Sequence, residues 1–325
     1  MIDGHPTQDR GPRQPILVVD IGGTGIKIGY SVDGRPHAFS AVQSTQALKD
    51  DDPVAALAGM VDAAIAASGI APGFIVATVP GFIDKDWDRV LYAGNILGLN
   101  GRKLATELGR ATGCPVFLER DAVLLLSGEV LAGAGQNSAH VLGLFFGTGI
   151  GTAYLHNGTP FRGGGWALEL GLMPFRGDGR FLPGLRPDCL ETYCSGRVLQ
   201  DIAIRHGMEV GTIFRAGETN PSLAEELATY VRYQAYAVGC AVAMVAPQAI
   251  VLGGGVLDMD GYPRERLSRL VEKHAPIVET GRAMDLRWAE LGWTSVLHGA
   301  PLVVSERLAH HRNVPHLLPI RTVAG

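Results

Sequence analysis

The chain states nearly the same phrase twice. Residues 23–34 read GTGIKIGYSVDG and residues 147–158 read GTGIGTAYLHNG, 124 residues apart. Gly23/Gly147, Thr24/Thr148, Gly25/Gly149, Ile26/Ile150, Tyr30/Tyr154 and Gly34/Gly158 recur at equal offsets. An apolar, β-rich run precedes each copy, ILVVDIG in the first and VLGLFFG in the second. Each copy closes on a hairpin dipeptide, Asp33-Gly34 or Asn157-Gly158, a strong local signal for antiparallel strands. Two strand–glycine turn–strand units therefore open two similar halves. Glycines at a turn leave backbone N–H groups bare, and bare N–H groups bind phosphate. Two such turns facing each other would hold a polyphosphate between two domains.

The rest of the chain fits that frame. A length of 325 residues suits two domains, and its 46% hydrophobic content with 18% charged residues is that of a globular enzyme. A net charge of −4 argues against a nucleic-acid or membrane-surface partner. The apolar stretch from Tyr236 to Leu252 is interrupted by Pro247 and Gln248 and is too short to span a membrane. Cys114, Cys189, Cys194 and Cys240 form no disulfide-like framework, which points to a reducing, cytoplasmic setting. Residues 1–14 read as a disordered tail without a signal-peptide core. Beyond it, strands (16–30, 74–80, 116–118) alternate with helices (53–68, 103–112, 122–132), and the order recurs in the second half. There the strands fall at 140–146, 151–156 and 248–252, and the helices near 194–206, 222–246, 262–274 and 300–310. That alternation is an α/β architecture. Residues 160–190 lack periodicity and read as a long functional loop.

Several residues carry candidate chemistry. Asp20 ends the first strand just before Gly22, Gly23 and Thr24, where a carboxylate can hold Mg²⁺ directly or through water beside cradled phosphates. Lys27 adds positive charge. Neither common phosphate motif applies: no GxxxxGK[ST] exists, and Ile28 stands where a GxGxxG would need its third glycine. Gly253, Gly254 and Gly255 follow the run AIVL and leave room for a flat ring or a phosphate. Asp121 follows the strand PVFLER at the start of a helix, a place for either a general base or an N-cap. Asn95, in YAGNILGLNG, is a turn residue or a loop amide for a polyol. Glu169 and Glu191 flank the glycine-rich loop and are either solvated charges or acceptors of sugar hydroxyls.

Together these residues resemble the ROK family of sugar kinases and repressors, within the hexokinase/actin-like ATPase class, over roughly residues 16–312. VVDIGGTGIKIG is similar to the family's first phosphate motif, FFGTGIGTAYLHNG to the second, and IVLGGGV to the adenosine motif. ERDAVLLLSGEVLAGAG resembles the segment with the catalytic aspartate, which falls on Asp121; AGNILGL, WALELG and CLETYCSG resemble the sugar-contacting motifs, which fall on Asn95, Glu169 and Glu191. NGTPFRGG, CLETYCSG and VLGGGVLDMDGYPRERL are most similar to the allose kinase branch.

The resemblance implies two actin-like ATPase (RNase H-like) domains with an interdomain cleft. The small one is expected over 14–124 plus about 300–325, and the large one over 125–300. It further implies ATP and Mg²⁺ as cofactors, a hexose as substrate, transfer to the 6-hydroxyl, and a homodimer. Family repressors carry a DNA-binding domain ahead of the first glycine motif; the short segment there leads to the expectation of a kinase. Three departures stand out. The family's zinc-binding His is Leu172, its CxCGxxGC cluster is replaced by FRGDGRFLPGLRPDC, and the Asn two residues after the catalytic aspartate is Val123. No structural zinc is expected. The rival expectation is a non-catalytic sensor of sugar or nucleotide on the same fold.

Overall fold

The structure is a computed structural model that describes residues 14–50 and 52–313. The tail expected over 1–14, apart from Gln14, and the end of the 300–325 segment lie outside the described residues.

The first half runs β1 (Ile16–Ile21), β2 (Gly25–Val32), β3 (Arg35–Ser44), α1 (Ala47–Asp50), α2 (Pro53–Ser68), β4 (Phe74–Val79), β5 (Phe82–Ile83), β6 (Val90–Tyr92), α3 (Leu104–Thr112), β7 (Val116–Arg120) and α4 (Asp121–Ala132). The second half runs β8 (His140–Phe146), β9 (Ile150–His156), β10 (Thr159–Pro160), α5 (Glu191–Cys194), α6 (Gly196–Arg205), α7 (Ile213–Gly217), α8 (Pro221–Val245), β11 (Ala249–Gly253), α9 (Arg264–His274), β12 (Leu286–Trp288) and α10 (Ser295–Asn313). The sheets have the same topology, β3-β2-β1-β4-β7 in one and β10-β9-β8-β11-β12 in the other. In each, the first strand pairs antiparallel with its hairpin partner and parallel with the strand on its other side. Parallel strands are covered on both faces, which is why β1 and β8 read as largely apolar runs, broken in β1 by Asp20.

Both hairpin dipeptides fold as their residues dictate. Asp33 and Gly34 have φ of 50° and 75°, Asn157 and Gly158 of 51° and 75°. Each joins the second strand of its repeat to a third, so each half opens on a three-stranded meander. The extra strand, β3 or β10, has no apolar run to announce it; β3 is mostly exposed. Helix ends follow local chemistry too. Asp52 caps α2 through a 2.9 Å bond from the Val54 N–H with Pro53 in the first turn, and Gly69 closes it at φ 69°.

Alternation along the central strands sorts the core into layers. Leu17, Val19 and Ile21 pack under α2 and α3, whereas Ile16 and Val18 face Leu124 of α4 and Val296, Leu297 and Ala300 of α10. Leu142, Leu144 and Phe146 pack under α6 and α8, whereas Val141 and Phe145 face Ala122, Val123 and Leu126 of α4. Helices α4 and α10 thus lie between the two sheets. They cross with almost no side chain in between: a methyl on Gly128 would sit 1.9 Å from the Ser295 carbonyl oxygen, and one on Gly299 2.3 Å from that of Leu124. Helix α10 begins at Ser295, five residues ahead of its expected start at 300.

Candidate active site

The two glycine turns meet. The first spans Gly22–Gly25 between the paired residues Ile21 and Ile26, and the second spans Gly147–Gly149 between Phe146 and Ile150, one residue shorter. Gly22 N–H bonds to Gly25 O at 2.9 Å, and Gly147 N–H to Gly149 O at 3.0 Å. Among the described residues, the N–H groups of Gly23, Thr24, Thr148 and Gly149 meet no protein acceptor. A methyl on Gly23 would lie 3.1 Å from Asn95 Nδ2 and 3.4 Å from Thr148 Cγ2, so the turns touch each other across the sheets. Gly254, at φ 99°, lies flush on the end of β8: a methyl there would stand 2.5 Å from Phe146 O, which also accepts from Val256 N–H at 3.0 Å. Gly253 is buried behind it, while Gly255 is exposed and a methyl there would meet nothing within 4 Å. The three glycine segments therefore lie at one junction.

Four carboxyl groups converge beside it. Asp20 shares the inner face of β1 with Ile16 and Val18, so it points toward α4. Burial pushes its pKa up to about 6, against the Thr78 hydroxyl that donates to Oδ1 at 2.9 Å; the Asp121 charge adds to the rise and Lys27, its cross-strand partner, opposes it. Asp121 is the first residue of α4. The cap position itself belongs to Arg120, because β7 runs straight into the helix and its last residue keeps the extended backbone (ψ 140°) that a cap needs. The N-cap alternative for Asp121 is thereby corrected by one residue; its carboxylate accepts the adjoining Ala122 N–H, at 2.7 Å. Burial raises the Asp121 pKa, opposed by that bond and by Arg120.

Glu169 is pushed up to about 7 by burial, opposed by Arg120, whose Nε lies 3.1 Å away, with Asp121 and Glu191 adding to the rise. Burial raises Glu191 as well, against the Ile150 N–H that bonds its Oε1 at 2.7 Å and the charge of Arg197, while Asp121 adds to the rise. Gly149 is required here: a methyl would meet the same Oε1 at 2.4 Å.

A second charged group anchors the strand behind Asp121. Burial alone would raise the pKa of the enclosed Glu119, but Arg162 at 2.7 Å and Arg307 at 3.0 Å more than offset it and hold the carboxyl below its usual range. Strand β7, the loop after β10 and helix α10 are thereby tied together immediately before the catalytic candidate.

Three contributors have no motif to reveal them. Thr78 fixes Asp20 and also accepts the Ile21 N–H at 2.8 Å. Arg120 donates to the carbonyls of Ala167 and Thr152 while pairing with Glu169. Arg197 donates to Asn95 Oδ1. Asn95 stands at the seam of the turns, its carbonyl engaged by that arginine. Lys27 is exposed on β2, and Thr24 is exposed at the tip of the first turn.

The segment that replaces the zinc cluster is held by its own contacts. Pro174 and Cys189 form a β-bridge, Phe175 N–H bonds Asp188 O at 2.6 Å, and the Tyr193 hydroxyl donates to Asp178 and Asp188. Among the described residues, no three His, Cys, Asp or Glu side chains are grouped to hold a metal ion, and no helix is long and apolar enough to cross a membrane. The four cysteines are unpaired.

Two sheets of identical topology, each opening on a glycine-turned meander and separated by the helices that leave them, define the actin-like ATPase fold. Within that class the chain belongs to the ROK family, whose match covers residues 16–307. It is 25% identical over 290 residues to the N-acetyl-D-glucosamine kinase of Escherichia coli (strain K12 / DH10B), covering 84% of this chain and 94% of that one. The solved ROK hexokinase from Thermus thermophilus is 28% identical, with a TM-score of 0.74 and coverage of 91% of this chain and 99% of that one. A ROK family glucokinase from Streptomyces griseus, crystallised with glucose and AMPPNP, is 25% identical, with a TM-score of 0.74 and coverage of 89% and 98%.

Proposed function

We propose that this chain is an ATP-dependent sugar kinase that transfers a phosphoryl group to a hexose hydroxyl, the 6-hydroxyl by family habit. One observation carries the reading: two turns with free N–H groups, from two sheets, meet beside four converging carboxyls. The free N–H groups of Gly23, Thr24, Thr148 and Gly149 suit a triphosphate, with Gly22, Gly25 and Gly147 shaping the turns and Lys27 adding charge. Open Gly255 and close-packed Gly253 and Gly254 suit a flat base beside the second turn. The family relationship and the relatives named kinases, one crystallised with an ATP analogue, support the same assignment.

Asp121 acts as general base and takes the proton of the attacking hydroxyl. Its burial keeps the carboxylate short of solvent and raises its proton affinity toward working pH. Glu169 and Glu191 accept sugar hydroxyls, and Asn95 supplies an amide to the same sugar. Asp20, a single half-buried carboxylate beside the first turn, fits the sparse protein ligation Mg²⁺ prefers, and Mg²⁺ bound there would neutralise charge on the phosphate oxygens. The backbone turns supply preorganised donors at no reorganisation cost. With Leu172 and the substituted loop, the protein holds no structural zinc, and elemental analysis of the purified chain checks this.

The deciding experiment is sugar-dependent ADP release from ATP and Mg²⁺ against N-acetylglucosamine, glucose, allose, N-acetylmannosamine and fructose. Turnover of at least one hexose is expected. Sugar binding by calorimetry without ADP release from any of them would instead mark a non-catalytic sensor.

A further inference from the structure

Arg197 is rooted in the second half and reaches into the first. Gly196, just before it, donates its N–H to Gly147 O at 2.8 Å, so the start of α6 is fixed on the second glycine turn. From there Arg197 Nη1 donates to Gly184 O at 3.2 Å, and Nη2 donates to Asn95 Oδ1. Asn95 belongs to the first half, in a loop anchored by fully buried Ala93 and Ile96. A guanidinium only donates hydrogen bonds. The amide oxygen must therefore face Arg197, which leaves Nδ2 facing the seam between Gly23 and Thr148. Asp121, Glu169 and Glu191, once ionised, only accept. Sugar hydroxyl oxygens also need a donor, and the oriented Asn95 N–H provides one.

We propose that Arg197 is a positioning residue: it reaches across the cleft, takes up the Asn95 carbonyl, and so presents the Asn95 amide N–H to the acceptor sugar, linking sugar binding to contact between the two halves. The proposal rests on the kinase reading above for its substrate. It predicts that Arg197 acts on the sugar and not on the nucleotide, although its helix begins on a phosphate-binding turn.

Five proteins test it: wild type, Arg197→Met, Asn95→Ala, the double variant, and Arg197→Lys as the conservative control. Using N-acetylglucosamine and glucose, Arg197→Met should raise the sugar KM by about 10-fold or more, the range expected for losing a hydrogen bond to a charged group. The KM for ATP and kcat should stay within roughly 3-fold, because no transition-state contact is lost. Arg197→Lys, which keeps a donor, should fall between. Arg197→Met should add little to Asn95→Ala, since the two act as one unit. A rise in the ATP KM with the sugar KM unchanged, or full additivity in the double variant, would overturn the proposal. A parallel measurement needs no turnover: hydrogen exchange of the backbone over residues 90–100 should be faster in Arg197→Met than in wild type. Equal exchange overturns the contact itself, whereas a wild type that phosphorylates none of the hexoses, with faster exchange in the variant, sinks the kinase reading and leaves the contact standing.

Discussion

The two glycine turns share a backbone plan but not their chemistry. Asp20 and Lys27 face each other where β1 meets β2; the equivalent pair where β8 meets β9 is Phe145 and Gly151. The first turn thus carries a carboxyl and a cation at its base, and the second carries a ring and a bare backbone. What the second turn lacks in charge it receives from outside its meander, through Glu191 bonded to Ile150 N–H and through Gly254 resting on Phe146 O. The acid at the start of α4, Asp121, likewise has Ser295 as its topological counterpart at the start of α10. Two turns of one backbone plan thus differ in their surroundings: the first has its carboxyl and cation on its own strands, and the second receives a carboxyl and a glycine from elsewhere in the chain.

The sharpest way to break this division is to make the turns alike. Phe145→Asp copies Asp20 into the second half, but Phe145 is only 7% exposed, packs beside Val251 and Ala153, and pairs with Gly253, which has no hydroxyl to offer a carboxylate. The variant should lose about 3–5 kcal/mol, as for an uncompensated buried charge, read as a lower denaturant midpoint. A stable Phe145→Asp protein would mean that the two strand ends are interchangeable.

Next in size is Asp121→Asn, which should cut kcat by at least about 100-fold while leaving the thermal midpoint near wild type, since Arg120 and not Asp121 occupies the cap. More than about a tenth of wild-type turnover would remove Asp121 from the role of base. Because Asp121 must be ionised to accept a proton and its folded pKa is raised, kcat/KM should fall as the pH drops through a value above the ordinary carboxylate range. The four neighbouring carboxyls will share that limb, so it reports the group and not one residue.

A methyl discriminates the turns more gently. Gly149→Ala must displace the Glu191 carboxylate, 2.4 Å from the new atom, and should raise the sugar KM by about 10-fold. Gly23→Ala meets Asn95 and Thr148 only at 3.1 Å and 3.4 Å, so its effect should be smaller, about 3-fold. The reverse order would show that the first turn is the tighter of the two.

The last comparison is read in the pH dependence of stability. With its pKa raised from 3.8 to about 6, Asp20 binds its proton more tightly in the folded state, so its contribution to stability declines as pH rises through that window. Asp20→Asn should therefore raise the stability at pH 7 by up to about 3 kcal/mol and by far less near pH 4, while lowering activity at both. Equal stabilisation at both values would rule out burial of charge as the cause.

Much of this was readable in the sequence because it is local. The repeat, the two dipeptides and the apolar runs each act within a few positions. The polar strands β3 and β10 escaped because their pairing comes from the turn and not from apolar alternation. The shorter second turn escaped because aligned glycines hide a shift in strand register, visible only in the pairs Ile21–Ile26 and Phe146–Ile150. Thr78, Arg120 and Arg197 escaped for a different reason. Each acts on a partner distant in sequence, and a threonine in a strand or an arginine at a helix entry has no spacing that signals it. Asp121 could be placed at the helix entry by sequence, but which residue caps that helix depended on how directly β7 enters it.

The crossing of α4 and α10 bears on how such a molecule works. Where Gly128 meets Ser295 and Gly299 meets Leu124, main chain rests on main chain. No side chain holds the two helices apart there, so they lie at the closest approach that peptide groups allow. The same joint has no slack for one added carbon, so a single alanine at either glycine should force α4 and α10 apart and shift both sheets that rest on them.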